Sequence, residues 1–220
     1  MGAGTRGLRM KSKTAAVLLG IMLTFGLATA SEACTRKVSA AATKTIVPQT
    51  GINQSMLDEA IRAEVNFHRC RAGIRSVADA SERLSREAEK HSKWMARTQQ
   101  LTHRSTVAGA ATLKQRVKNA GVRFRTGSEN IGMVHRYQID NRRFTIVDSG
   151  TCQFRSKDGQ TLPAHSYATL ARHVVNLWMN SPGHRKNILD SRVKETTTAV
   201  AFDPNAQYCG QFWLTQNFIG

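Results

Sequence analysis

Apolar residues along this chain keep two different periods. From Met56 onward, Leu57, Ile61, Val65 and His68 recur at steps of four, four and three, which predicts a helix ending near Ala72-Gly73. Asp79 or Ser81 can cap a second helix that puts Leu84, Ala88, His91 and Met95 on one face. Its other face carries Arg83, Arg86, Glu87, Lys90 and Arg97, a solvated stripe. Residues 112–120 suit a short helix stopped by Gly121. Leu170, Val174, Leu177 and Trp178 form the stripe of another helix, capped by Ser166 and stopped at Asn180. Ser181-Pro182 then starts a short one, with Ser as N-cap and Pro in the first turn, and His184 and Ile188 share its face. Elsewhere the period drops to two. Residues 133–137 predict a strand, with residues 127–132 interrupting the chain before it. Residues 144–147 and 151–154 are β-prone pieces near the turn signals Asp140-Asn141 and Asp158-Gly159. At the end, Thr198, Val200 and Phe202 alternate, Asp203-Pro204-Asn205 turns, and Phe212, Leu214, Gln216 and Phe218 alternate again, the pattern of a hairpin. Helices first, with strands between and after them, make the fold class α+β.

The N-terminal thirty residues follow neither period. Arg6, Arg9, Lys11 and Lys13 precede an apolar run over residues 15–27 and then Ala28-Thr29-Ala30, the layout of a cleaved secretory signal over residues 1–30. Thirteen apolar residues are too few to cross a ~30 Å hydrocarbon core comfortably, so no membrane span is expected after signal removal. Residues 31–54, with little periodicity, read as a flexible tether, and residues 55–220 as one domain. Secretion to the periplasm or the medium is the expected localisation, and a monomer the expected state.

Composition adds charge to this picture. The chain of 220 residues carries a net charge of +17, and export would remove four cations and leave +13. That favours an anionic neighbour without identifying it. Residues 104–143 are the most basic stretch, with nine Lys/Arg against Glu129 and Asp140. It reads as a solvated surface that could meet anionic lipid, an envelope polymer or DNA. Specific nucleic-acid recognition is not expected, because aromatics are few there (Phe124, Tyr137) and no reading motif is present. Four cysteines in an exported chain favour disulfides, and no C-x-x-C pair supports a redox or zinc-ribbon motif. Three connectivities are open. The β-prone settings of Cys152 and Cys209 favour joining those two, which leaves Cys34 with Cys70, tying the tether to the end of the first helix.

The string from Trp178 to Leu189, Trp-Met-Asn-Ser-Pro-Gly-His-Arg-Lys-Asn-Ile-Leu, resembles the signature of bacterial CAP proteins. This superfamily takes in the cysteine-rich secretory, antigen 5 and pathogenesis-related one proteins, and its domain is also called SCP. Other pieces follow in the order the family requires. They are Val65-Asn66 and Arg69, then Leu84, Ala88, Ser92 and Met95, then Leu101-Thr102-His103, Glu129-Asn130-Ile131, and finally residues 214–218, Leu-Thr-Gln-Asn-Phe. Together they cover roughly residues 55–220, with residues 141–164 resembling an insertion. The resemblance implies a three-layer α-β-α sandwich with a central antiparallel sheet and a shallow cleft. In that cleft it places His103, His184 and Glu129, supported by Asn130, Ser181 and Arg185. A second glutamate of eukaryotic relatives falls at Ser181 here, so three members remain of a possible four.

Two imidazoles and a carboxylate suit zinc or another divalent metal, with one position left for water. The same groups could serve as general acid and base. Structurally, a carboxylate orienting two rings explains them equally well. Arg185 is open to pairing with Glu129 or facing solvent, and Asn130 is expected to bond its own loop. His91 reads as a core residue, His165 as a loop residue bonding backbone, and His68, His135 and His173 as packing or surface residues. The first functional expectation is a ligand-binding module at the cell envelope, for a lipid-like or anionic ligand. The alternative is a metal-dependent hydrolase using His103, Glu129 and His184, and the third is a non-specific binder of anionic polymers or nucleic acid.

Overall fold

A computed structural model describes residues 1–4 and 34–220, so the signal segment, apart from its first four residues, lies outside the described residues. The elements are α1 (Ala40–Lys44), α2 (Gln54–Arg71), β1 (Ala78–Asp79), α3 (Glu82–Thr98), α4 (Leu113–Asn119), β2 (Gly127–His135), β3 (Phe144–Asp148), β4 (Gln153–Ser156), α5 (Tyr167–Asn180), α6 (Pro182–Ile188), β5 (Glu195–Asp203) and β6 (Gln211–Ile219). The main sheet runs β1-β5-β6-β2, and β3 and β4 form a separate hairpin. β2, β5 and β6 pair antiparallel, whereas the two-residue β1, which had no sequence signal, lies parallel to β5.

The alternation of the tail is the origin of the layers. Val200, Phe212, Leu214 and Phe218 face one way, into a core with Leu57, Ile61 and Val65 of α2 and Leu170, Val174 and Trp178 of α5. The intervening Ala201 and Trp213 face the other way, against Trp94 and Met95 of α3, while Ile219 packs with Leu84 of α3 and Val117 of α4. Helices thus cover both faces of the sheet, giving the expected three-layer sandwich. Ser81, Thr112 and Ser166 each accept a backbone N–H of the helix they open, as their positions predict. Ser181 stands at the N-cap of α6 without such a bond, so Pro182 alone sets that start.

Two expectations about the elements change. Residues 34–53, expected as a flexible tether, carry α1 and pack onto α5. Ala42 and Val47 are buried, the Val47 N–H donates to the His165 carbonyl at 2.9 Å, and Asn53 N–H donates to the Tyr167 hydroxyl at 2.9 Å. Residues 127–132, expected to interrupt the chain, are the first two-thirds of β2. Nine register pairs with β6 outweigh the turn-like Gly and Ser there. Gly132 has a separate reason to be glycine. A Cβ there would lie 3.2 Å from Trp178 Nε1, which donates to the Ile131 carbonyl at 2.9 Å. Finally, the disulfides are Cys34–Cys70 and Cys152–Cys209, as expected, with Cα separations of 5.7 and 6.0 Å. Cys152 and Cys209, however, sit in turns rather than strands. That bond pins the β3–β4 hairpin, whose own small core is Ile139, Phe154 and Leu162, to the β5–β6 connection.

Two polar residues of α2 act as scaffold. Asn66 exchanges two hydrogen bonds with the backbone of Val77 and so places β1. Arg69, fully buried, donates to the carbonyls of Arg75, Ile188, Asp190 and Val193, gathering the end of α6 and the entry to β5 around one guanidinium. Arg69→Ala would strand these acceptors, and a loss of about 3 kcal/mol or more in urea unfolding is expected. Arg69→Lys, a single compact ammonium, should recover only part. A loss under ~1 kcal/mol for the alanine variant would mean water replaces the guanidinium freely.

Candidate functional site

β2 is an edge strand of the main sheet, and its alternation puts Glu129 and Asn130 on opposite faces. Glu129 points toward α3 and α4. Its Oε1 accepts from His103 Nδ1 at 3.0 Å, in the loop after α3, and its Oε2 accepts from Arg116 Nη2 at 2.6 Å, in α4. The Glu129 and Arg116 side chains are 3% and 2% exposed, while that of His103 is 57% exposed. Arg116 also donates to the carbonyls of His103, Ala110 and Ala111, so one cation holds both the carboxylate and the loop that delivers the imidazole. Behind them His91 Nε2 donates to the Thr102 carbonyl at 3.0 Å and its ring stacks on Trp94, which fixes the loop one residue before His103.

Asn130 points toward α6. Its amide donates to Gln216 Oε1 at 3.1 Å and the His184 carbonyl at 3.4 Å, and its oxygen accepts from Asn187 at 2.9 Å. Asn187 donates also to the Glu129 carbonyl. His184 is therefore placed through its backbone carbonyl and is half-buried. Burial, and then the nearby His103, lower its pKa.

The chain matches the family described as "Cysteine-rich secretory protein family", CAP, over residues 62–218. It belongs to that family. Among solved structures, it is similar to an extracellular protein containing an SCP domain from Bacillus anthracis, at 22% identity and TM-score 0.47, covering 76% of this chain and 41% of that one. It is also similar to an outer surface protein of Borrelia burgdorferi, at 12% identity and TM-score 0.47, covering 72% and 89% respectively. A third is a cysteine-rich secretory protein of Staphylococcus aureus, at 16% identity and TM-score 0.44, covering 76% and 39%. The chain thus spans about two-fifths of the length of the Bacillus and Staphylococcus proteins. No curated protein matches the sequence.

Of the CAP residues expected in the cleft, His103 and Glu129 are in direct contact, and His184, near enough to His103 to feel its charge, makes no hydrogen bond to either. Asn130 bonds across to β6 and α6 rather than to its own loop, because its partners are already in register there. Arg185 is exposed, and Glu129 pairs with Arg116 instead. Sequence reasoning missed Arg116 by counting it with a solvated basic stretch. Yet Leu113, Val117 and Ala120 mark the inner face of α4, and Arg116 falls on that face at i+3 from Leu113.

The donor set does not fit a three-ligand zinc centre. Both oxygens of the carboxylate a metal would need are taken, one of them by a permanent cation. Among the described residues no group of three His, Cys, Asp or Glu is arranged to hold a metal ion. The carboxylate instead orients the His103 ring from beneath and leaves Nε2 on the exposed side.

Two outcomes follow. Arg116→Met leaves Glu129 buried without its cation and should cost about 3–5 kcal/mol, while Arg116→Met with Glu129→Leu should cost less than the single change. Additive losses in a double-mutant unfolding cycle would show the pair to be uncoupled. His91 is lowered from 6.5 to about 4, first by burial and then by the Arg116 charge. The unfolded chain takes up this proton near 6.5 and the folded chain only near 4, so stability should fall as pH drops across that interval. His91→Gln, which keeps a donor for Thr102, should remove roughly 1–3 kcal/mol of that acid loss. An unchanged pH profile of unfolding would assign the loss elsewhere.

Proposed function

We propose that this CAP protein is an exported binding module that works at the cell envelope and takes a lipid-like or anionic polymeric ligand at the surface around the exposed His103, beside β2. The observation that carries this reading is the asymmetry of the His103–Glu129–Arg116 chain. Its charged members are buried and paired with each other, and only an oriented imidazole reaches solvent. A preorganised hydrogen-bonding group on a rigid base suits recognition. Hydrolysis through a metal would require Glu129 to leave Arg116, and this arrangement opposes that. Export rests on the signal layout of residues 1–30 and on two disulfides, which persist in oxidising compartments. The net charge of +17 favours an anionic ligand.

Secreted protein should begin near Ser31 on N-terminal sequencing; material that retains Met1 would refute cleavage. The untagged protein should bind vesicles containing phosphatidylglycerol, or the polyanion heparin, with an affinity that falls as salt rises. His103→Ala should weaken that binding several-fold and also cost about 1–3 kcal/mol in stability, since it leaves a buried Glu129 oxygen unpaired. His103→Gln, which keeps a donor for Glu129, should weaken binding with little change in the unfolding midpoint. Binding that requires added zinc and is abolished by chelator would overturn this reading in favour of the metal site.

A further inference from the structure

A second polar site lies away from the cleft, and its groups are not satisfied. Where the segment after β2 meets the N-terminal half of α5, a cavity of about 250 Å³ is lined by Gln138, Arg142, His165, Arg172, His173 and Asn176, with Asp140 and Thr169 between them. His165 is 2% exposed. Its Nε2 and the Nε2 of His173 are both buried without a hydrogen-bond partner, and the two rings stand 5.5 Å apart. Other buried polar atoms also lack a partner, His91 Nδ1 and Arg116 Nε among them. Here, however, two such nitrogens belong to neighbouring rings that line one cavity, and a partner entering it could complete both.

The surrounding hydrogen bonds say what kind. Thr169 gives its hydroxyl proton to the Ser166 carbonyl and accepts from Ser166, so His165 Nδ1, 3.1 Å away, donates to Thr169 Oγ1. That tautomer leaves Nε2 as an acceptor, buried among the side chains that line the cavity. His173 Nε2 lies 3.7 Å from Asp140, beyond hydrogen-bonding range. Asp140 is already committed to His135, through its ring Nδ1 at 2.6 Å and its backbone N–H at 2.9 Å. His135 Nε2 in turn meets Gln211. Of the cations, Arg172 touches Glu64 through Nε at 3.3 Å, Glu64 being held mainly by Arg36, and Arg142 has no salt bridge among the described residues. The cavity therefore offers one acceptor, one unpartnered imidazole edge and two guanidinium groups on its rim.

We infer that this cavity binds a small phosphate-type oxyanion that carries a proton, its P–OH donating to His165 Nε2 and its other oxygens accepting from His173, Arg142 and Arg172. A phosphate monoester, with a second pKa of about 6, has both the proton and the charge just below neutrality. Two guanidinium groups supply the charge-assisted donors such an anion needs. The volume admits one phosphate group with a short substituent, being below the ~300–1,000 Å³ of drug-sized sites. Burial, and then the neighbouring His173, keeps His165 neutral down to about 4, and burial lowers His173. Asp140 pulls both the other way and Arg142 opposes it, so the proton has to arrive with the anion. The same phosphate chemistry is carried by free phosphate monoesters and by a phosphatidic acid headgroup.

Ring-proton NMR of the full chain tests the site. Inorganic phosphate at pH 6 should shift the His165 and His173 signals saturably and leave His103 in place. Sulfate, which has no proton to give at that pH, should bind at least about ten-fold more weakly, and phosphate itself should weaken toward pH 8. Arg142→Ala and His173→Gln should each reduce phosphate affinity about ten-fold or more, and as Arg142 is exposed its variant should fold. Vesicles of phosphatidylcholine with phosphatidic acid distinguish the sources. Binding that free phosphate competes away assigns the headgroup, and phosphate binding without vesicle binding assigns the free monoester. No saturable shift at pH 6, equal affinity for sulfate, or phosphate affinity untouched in both variants would overturn the inference. The ring-proton shifts of His165 and His173 do not depend on His103, and the vesicle arm is read in the His103→Ala background so that binding at that surface does not enter it.

Discussion

The architecture around the exposed His103 depends on one buried ion pair. Arg116 and Glu129 are each removed from water, and a buried charge is tolerable only while its partner and its remaining hydrogen bonds are in place. That requirement binds together elements with little else in common. The guanidinium fixes α4 against β2, reaches the carbonyls of residues 103, 110 and 111, and thereby shapes the loop between α3 and α4. The carboxylate, held from below, has one oxygen left, and that oxygen sets the ring plane of His103. The exposed imidazole is thus the visible end of an interaction whose other members lie inside the fold.

The opposite face of the sheet repeats this logic without net charge. Asn187, Asn130, Gln216 and Thr198 form a continuous row of hydrogen bonds from α6 across β2 and β6 to β5, and the backbone of Thr198 meets Asp58 of α2. Burial raises Asp58 to about 7 against the pull of Arg62. Amide side chains suit such a row because each both donates and accepts, so a chain of them can be closed without leaving an orphan. An edge strand with a buried polar network on each side also resists pairing with another chain, since register slip would unpair both networks at once.

Much of this was legible in the sequence, and the failures have identifiable physics. Helix caps and apolar stripes carry local signals, so α2, α3, α5 and the final hairpin fall where period and punctuation put them. The family motifs led to His103 and Glu129 although nothing local brings those two residues together. Composition misled where long-range pairing overrides it. Gly127, Ser128, Glu129 and Asn130 look like a loop, yet become strand because β6 supplies their partners. Residues 34–53 look like a tether, yet are drawn in by Val47 and by the disulfide at Cys34. Arg116 was counted by its charge when its spacing from Leu113 and Val117 gave the better signal.

The histidines divide on the same criterion. His91 and His103 have partners that define their roles, one inside the core and one presented from it. His135 is closed off by Asp140 and Gln211. Unanswered buried nitrogens also occur at His68 and His91, but those of His165 and His173 belong to rings 5.5 Å apart that line the same cavity. Two unanswered imidazole nitrogens on neighbouring residues that line one cavity are the ground for proposing a second recognition element, separate from the His103 surface.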